Sequence, residues 1–190
     1  MRPLSSVLGV AAICTLGCGC TVYEYAGAGG STAASGRDGH TGGQLDFVAG
    51  IGRIPVPESP VAITLGSHFN IAERTTEFAP SIGVEASPRP LLGRLVPFAG
   101  LGVRPLAFGL ADGRPGSFGG RDFSFSVFSP QADLGLMVLL THDEDPTLKA
   151  VGGWTLVLRG SAQYDVRVTY QPNQLYLGLT LGPGFYFSAF

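Results

Sequence analysis

Three histidines and three cysteines are the side chains of this 190-residue chain that most narrow its chemistry. His40 lies in a stretch of Gly, Ala, Ser and Thr, and His142 precedes Asp143-Glu144-Asp145. Only His68 falls on the polar face of an alternating segment, where Ser81 and Glu85 of a neighbouring strand can reach it. A base beside a hydroxyl and a carboxylate is the minimum for an activated serine. The simpler reading is a histidine hydrogen-bonded inside a wall of strands. Asp143-Glu144-Asp145 lacks the alternating spacing of a calcium loop and reads as a solvated turn before Pro146. The chain has no HExxH and no phosphate loop, and the Gly100-x-Gly102 pair lacks a strand-then-helix setting, so neither a metal nor a cofactor is expected. Cys14, Cys18 and Cys20 are the whole cysteine set, which leaves the body of the chain without a disulfide or a cysteine zinc site.

Those cysteines end an address. Arg2 precedes an apolar run from Val7 to Leu16, too short to cross a membrane as a helix and suited to an export signal. The Leu16-Gly17-Cys18 ending resembles the lipobox of bacterial lipoproteins, with Thr15 where that family usually has Leu. The resemblance implies that Cys18 is acylated and becomes the mature N-terminus, with Cys20, behind Gly19, as the alternative anchor. An ordinary secretory signal cut at Ala26-Gly27-Ala28 is the other reading.

Removing residues 1–17 leaves about 173 residues, the size of one domain. Only 14% of residues are charged, mean hydropathy is +0.27, and Lys149 is the single lysine, a composition poorly suited to hydrating a soluble surface. The 29 glycines and 14 prolines favour strands and turns over long helices. A net charge of −2 with no basic stripe argues against nucleic acid as a partner. Residues 18–43 read as a lipid anchor and Gly/Ser/Ala-rich tether with little to bury, a short strand at Val22–Ala26 being the alternative there.

From residue 44 to 190 the period is 2. From Trp154 to Thr169, Trp154, Leu156, Leu158 and Tyr164 share one face, while Thr155, Arg159, Gln163, Asp165 and Arg167 share the other. The same alternation runs through Leu45–Ile51, Val61–Ile71, Ile82–Val84 and Leu175–Leu181. Longer runs, Leu95–Phe108 and Phe123–Leu140, slip in phase at Pro105 and near Ser129-Pro130, which predicts bulges or bends. Gly182-Pro183-Gly184 is expected to interrupt the last strand and shift its phase. The expected fold is all-β: an antiparallel up-and-down barrel of about eight strands.

The polar faces carry Gly, Ser, Thr and Gln with a sparse, balanced set of charges, Asp46, Glu85, Asp133 and Asp165 against Arg104, Arg159 and Arg167. Small residues with a few opposite charges suit the narrow interior of such a barrel as a lumen charge network, which puts the apolar faces outside. Pro97-Phe98-Ala99-Gly100-Leu101-Gly102-Val103, the region Phe125–Leu140 and the terminal Phe190 resemble strands of the small outer-membrane β-barrel proteins of Gram-negative bacteria. The resemblance implies an outer-membrane location, a structural or interaction role without catalysis, contact with outer-membrane lipids, and handling by the barrel-assembly and lipoprotein-processing machineries. Two other readings stay open: a soluble, periplasm-facing barrel lipoprotein that binds an apolar ligand, and a barrel-type lipid esterase or deacylase working through His68.

Overall fold

A computed structural model describes residues 21–33, 41–52, 61–72, 75–87, 91–112, 121–145, 150–166 and 173–189. Nine strands are described: β1 (Thr21–Ala33), β2 (Thr41–Gly52), β3 (Val61–Ala72), β4 (Thr75–Ala86), β5 (Leu95–Asp112), β6 (Arg121–Leu139), β7 (Asp143–Asp145), β8 (Ala150–Asp165) and β9 (Gln174–Ala189). Successive strands pair antiparallel from β1 to β6, β6 pairs with β8, β8 with β9, and β9 with β1. Eight strands thus close an all-β antiparallel barrel with no free edge. The three-residue β7 stands outside the wall, paired to Ala150–Gly152 of β8.

Burial settles which face points inward. Along β9, Leu175, Leu177, Leu179 and Leu181 face outward while Tyr176, Gly178 and Thr180 face the lumen; Leu179 is 57% exposed and Thr180 1%. The same inversion holds on β2, where Leu45, Phe47 and Ile51 are exposed and Gln44 and Asp46 are buried, and on β8, where Trp154, Leu156 and Leu158 are exposed and Thr155 and Arg159 are buried. Exposed apolar side chains this numerous are foreign to a water-soluble surface and suit hydrocarbon.

Two corrections to the sequence reading concern β1 and β9. Residues 21–33, expected as tether with a strand at Val22–Ala26 as the alternative, are a full wall strand, so among the described residues the barrel includes Thr21–Ala33 and does not start at residue 44. The segment looks unstructured because its large side chains are few and its outward positions small: Tyr23 and Tyr25 point inward, and the outward positions include Glu24, Ala26, Ala28 and Gly30. Its glycine has a steric reason. A Cβ on Gly27 would lie 1.8 Å from the Tyr25 hydroxyl, and one on Gly50 of β2 would lie 1.9 Å from the Tyr23 ring. Gly182-Pro183-Gly184 does not break β9. The strand keeps phase from Thr180 through Gly182 and Gly184 to Tyr186, and its register with β8 is continuous. Pairing with β1 lapses only between Ala28↔Leu181 and Tyr25↔Gly184, opposite the proline that has no N–H to give. There a Cβ on Gly182 would lie 2.0 Å from the Ala26 carbonyl oxygen, so glycine is what lets the two strands meet.

The phase slips at Pro105 and Ser129-Pro130 are β-bulges. Pro105 and Leu106 are both exposed between buried Arg104 and Ala107, and Phe128 is exposed with φ of 57° beside buried Ser129. β5 and β6 stay in register with each other across the slip, Arg104↔Ser129 and Leu106↔Val127, while β5 gains one residue on β4. β6 gains one on β8 likewise, since Gln131 pairs with Gln163 and Val127 bonds to Val166. The bulged pair turns Arg104 and Ser129 inward at the same level.

Trp154 and Tyr164 lie ten residues apart on the outer face of one strand, which at roughly 3.3 Å per residue and 40° tilt spans about 25 Å. Leu179 stands six residues from Phe185, the register partner of Trp154, and so near the middle of that span. Leu179→Arg is expected to destabilise the barrel by about 2–4 kcal/mol in lipid vesicles, whereas Thr180→Ser, which keeps the hydroxyl, should change it by less than about 0.5 kcal/mol, both read by urea unfolding.

Candidate functional site in the lumen

The lumen is filled in layers. At the end that holds Thr21 and Ser188, an apolar layer of Tyr23, Val48, Val96, Phe98, Met137, Leu139, Val157 and Tyr186 packs together. Above it lie two polar networks. In the first, Asp46 accepts bonds from Gln44 Nε2 (2.9 and 3.0 Å), Thr180 Oγ1 (2.8 Å) and His68 Nδ1 (2.8 Å). Tyr25 donates in turn to Thr180 Oγ1 (2.8 Å), and His68 Nε2 meets Ser81 Oγ at 3.0 Å.

The second network is built on two arginines. Arg159 Nη2 donates to Glu85 Oε1 (2.5 Å) and Asp133 Oδ2 (3.0 Å), with its Cζ 5.6 Å from the Phe98 ring centroid. Tyr23 donates to the other oxygen of Glu85. Gln131 Nε2 donates to both oxygens of Asp133 (2.8 and 2.9 Å), and its Oε1 accepts from Arg104 Nε at 3.0 Å. Arg104 Nη1 lies 3.7 Å from Glu77 Oε1, and Gln163 Nε2 donates to Glu77 (3.4 Å) and to Asp165. All these ionic groups are buried, so each depends on its partners for what water would otherwise supply.

Of the charges singled out in the sequence, Glu85, Asp133 and Arg159 form one ion cluster, Arg104 and Asp165 join it through Gln131, Glu77 and Gln163, and Asp46 belongs to the histidine network. Arg167, His40, Cys18 and Cys20 lie outside the described residues. The acid beside His68 is Asp46 and not Glu85, because Asp46↔His68 is a direct cross-strand pair whereas Glu85 is engaged by Arg159 and Tyr23. His142 meets Tyr186 Oη (2.8 Å) and Glu144 (3.4 Å) at the rim, and Asp143–Asp145, expected as a solvated turn, is instead the strand β7, held there by its pairing with β8. Among the described residues no three His, Cys, Asp or Glu side chains group as a metal site.

Sequence reasoning missed Glu77, Tyr23, Tyr25 and the three glutamines. A signal for the glutamines was present. Gln44-x-Asp46, Gln131-x-Asp133 and Gln163-x-Asp165 repeat one arrangement on three strands, and in each the amide donates to the carboxylate two residues on. Period 2 puts both side chains on one face, so each pair carries its own local donor into the lumen.

Asp46, His68 and Ser81 have the order of contacts that activates a serine in hydrolases. Here Asp46 and His68 are 0% and 1% exposed, inside the closed wall, and Asp46 is shared with Gln44 and Thr180. The arrangement therefore cross-links β2, β3, β4 and β9 from within.

The chain matches no protein-family model and no curated protein sequence. Among solved structures it is similar to Neisserial surface protein A (NspA), at 18% identity and TM-score 0.57 over 90% of this chain and 97% of that one. The N-terminal β-barrel domain of Pseudomonas aeruginosa OprF aligns at 14% identity and TM-score 0.49 over 88% and 97% of the two chains. The likeness to NspA is one of fold, a closed eight-stranded antiparallel barrel.

Arg159→Leu should cost about 3–5 kcal/mol of stability, because it leaves Glu85 and Asp133 facing each other without a cation. Asp133→Asn should cost less, since Glu85 still pairs with Arg159. Urea unfolding of both variants in vesicles measures the order.

Proposed function

We propose that this protein is a non-catalytic outer-membrane β-barrel with a structural or interaction role, a narrow closed lumen, and a lipid anchor at Cys18. The observation that carries the reading is the inverted wall. Outward leucines fill the span between a belt of Trp154, Phe185 and Glu24 at one level and Tyr164 about 25 Å away, the height of an outer-membrane apolar band. Trp154 and Phe185 stack edge to face at 5.5 Å, and Phe69 and Phe78 lie 4.7 Å apart on the outer face towards the other end.

The start of β1 favours the lipidated reading over cleavage at Ala26-Gly27-Ala28. That cut would remove Tyr23 and Tyr25, which bond Glu85 and Thr180 in the lumen. Cys18 is three residues from Thr21, so its acyl chains would enter the leaflet beside the Trp154 belt. At about 0.8 kcal/mol per buried methylene, they add to a hold that the barrel already has. Outer-membrane lipids and the machineries that assemble barrels and process lipoproteins are the partners this reading implies.

Replacing both Cys18 and Cys20 by serine tests it. The barrel should stay with the outer membrane and need detergent for extraction, and the wild-type protein should carry an intact mass set by acylated Cys18. A variant that is soluble without detergent would replace this reading with the soluble lipoprotein barrel. In planar bilayers the wild type should give no large steady conductance, and a fluorophosphonate probe should leave Ser81 unlabelled. Labelling that is lost in His68→Ala would instead assign the hydroxyl a catalytic role.

A further inference from the structure

Two described residues other than glycine have left-handed backbone, and both are large and apolar: Leu92 with φ of 51° and Phe128 with φ of 57°. At Phe128 the bulge that turns Ser129 inward accounts for it. No packing in the lumen accounts for Leu92, which stands at the tip of the turn before β5 and is 91% exposed. The Leu91 carbonyl accepts from the Arg94 N–H (3.2 Å), and Leu92 and Gly93, with φ of 51° and 71°, are the two central residues between them. Asn-Gly and Gly-Gly form such a turn readily, whereas leucine in the first place is strained. A strained leucine with its side chain in the open is doubly unfavourable unless something outside the chain covers it.

The turn continues the outer wall. Val96 and Phe98 point into the lumen, so Leu95 points outward, and Leu91, which exchanges both backbone bonds with Leu95 (2.6 and 2.9 Å), stands beside it on the same side. The Arg94 carbonyl accepts from the Leu139 N–H (2.9 Å), and the next residue, Leu140, donates its N–H to the Trp154 carbonyl (2.8 Å). Backbone bonds thus chain the turn across β6 to Trp154, and Leu91, Leu140 and Trp154 are all more than half exposed. Leu92 lies beyond them, at the end of the wall on the Thr21 side. Residues 89–94 add two arginines, Arg89 and Arg94, and no acid.

We propose that the 91–94 turn is a phospholipid-binding site. Leu91 and Leu92 enter the boundary between headgroups and acyl chains, and the Arg94 guanidinium, which has no ion pair among the described residues, meets a lipid phosphate. Burial of Leu92 there offsets the strain of its backbone, and the long arginine stem keeps the charge at headgroup level. A protein partner is the other occupant such a tip would suit. Continuity with the wall at the Trp154 belt favours lipid, since a lipid surface is already present at that level once the barrel is inserted. The inference rests on the outer-membrane reading and adds where the barrel grips the leaflet surface.

The test places an environment-sensitive fluorophore on Leu92→Cys in the full chain, with Cys14, Cys18 and Cys20 replaced by serine, refolded into vesicles of phosphatidylethanolamine and phosphatidylglycerol. Its emission should lie to the blue of the same label on Glu144→Cys, a solvent-exposed position, and should be quenched by lipids brominated high on the acyl chain and not by aqueous iodide. Trp154 quenching by the same lipids, read on unlabelled protein, reports separately whether the barrel is in the bilayer. With Trp154 quenched and position 92 open to iodide, the inference fails while the barrel reading stands, and the tip is left to a protein partner; with neither quenched by lipid, both fail. If the labelled variant does not fold, Leu92→Asn decides by sign. Asparagine suits a left-handed turn, so at a tip in water it should lower the unfolding constant, whereas loss of a lipid-buried leucine should raise it about three- to tenfold in vesicles. A lowered constant would overturn the proposal.

Discussion

Eight tilted strands enclose a space just wide enough for side chains, and every other feature of this protein answers to that limit. A polar group pointing inward has few waters to call on, so the lumen must satisfy itself. Arg159 bridging Glu85 and Asp133, and Asp46 gathering Gln44, Thr180 and His68, are the two ties that do most of this. Each joins strands far apart in sequence. Removing one partner leaves a charge that the narrow interior cannot hydrate, which makes these ties a source of register as well as of stability.

The same limit explains the outside. Once the inward positions hold charges, amides and hydroxyls, the outward ones must be solvated by something else, and Leu101, Leu134, Ile63 and Leu179, each more than half exposed, specify hydrocarbon. Two rings of tyrosine are accommodated only because Gly27 and Gly50 leave room for them. The bulges at Pro105 and Phe128 let Arg104 and Ser129 face inward together without disturbing the β5–β6 register. Glycine and proline in this chain thus serve the packing of the lumen at particular positions.

Much of this was legible in the sequence. Alternation in Trp154–Asp165 and Leu175–Leu181 fixed the faces of β8 and β9, and the scarcity of lysine indicated which face meets lipid. The phase slips at Pro105 and Ser129-Pro130 marked the bulges. The full length of β1, of which only Val22–Ala26 was an alternative to a tether, escaped because its small outward residues mimic a linker and its inward tyrosines have no neighbours until the barrel closes on β9. The continuity of β9 through Gly182-Pro183-Gly184 escaped for a related reason, since a proline is tolerated where the facing strand leaves its site unpaired. The pairing of Asp46 with His68 needed the β2–β3 register, which alternation alone does not give, and the Gln-x-Asp repeat needed three separate strands to be compared.

Trp154 is the only tryptophan, and it offers the most direct test of the inverted wall. The protein reconstituted in vesicles should show Trp154 fluorescence quenched by lipids brominated high on the acyl chain, less by lipids brominated near the chain end, and hardly at all by aqueous iodide. No quenching by any brominated lipid, together with full quenching by iodide, would place this face in water and contradict the account.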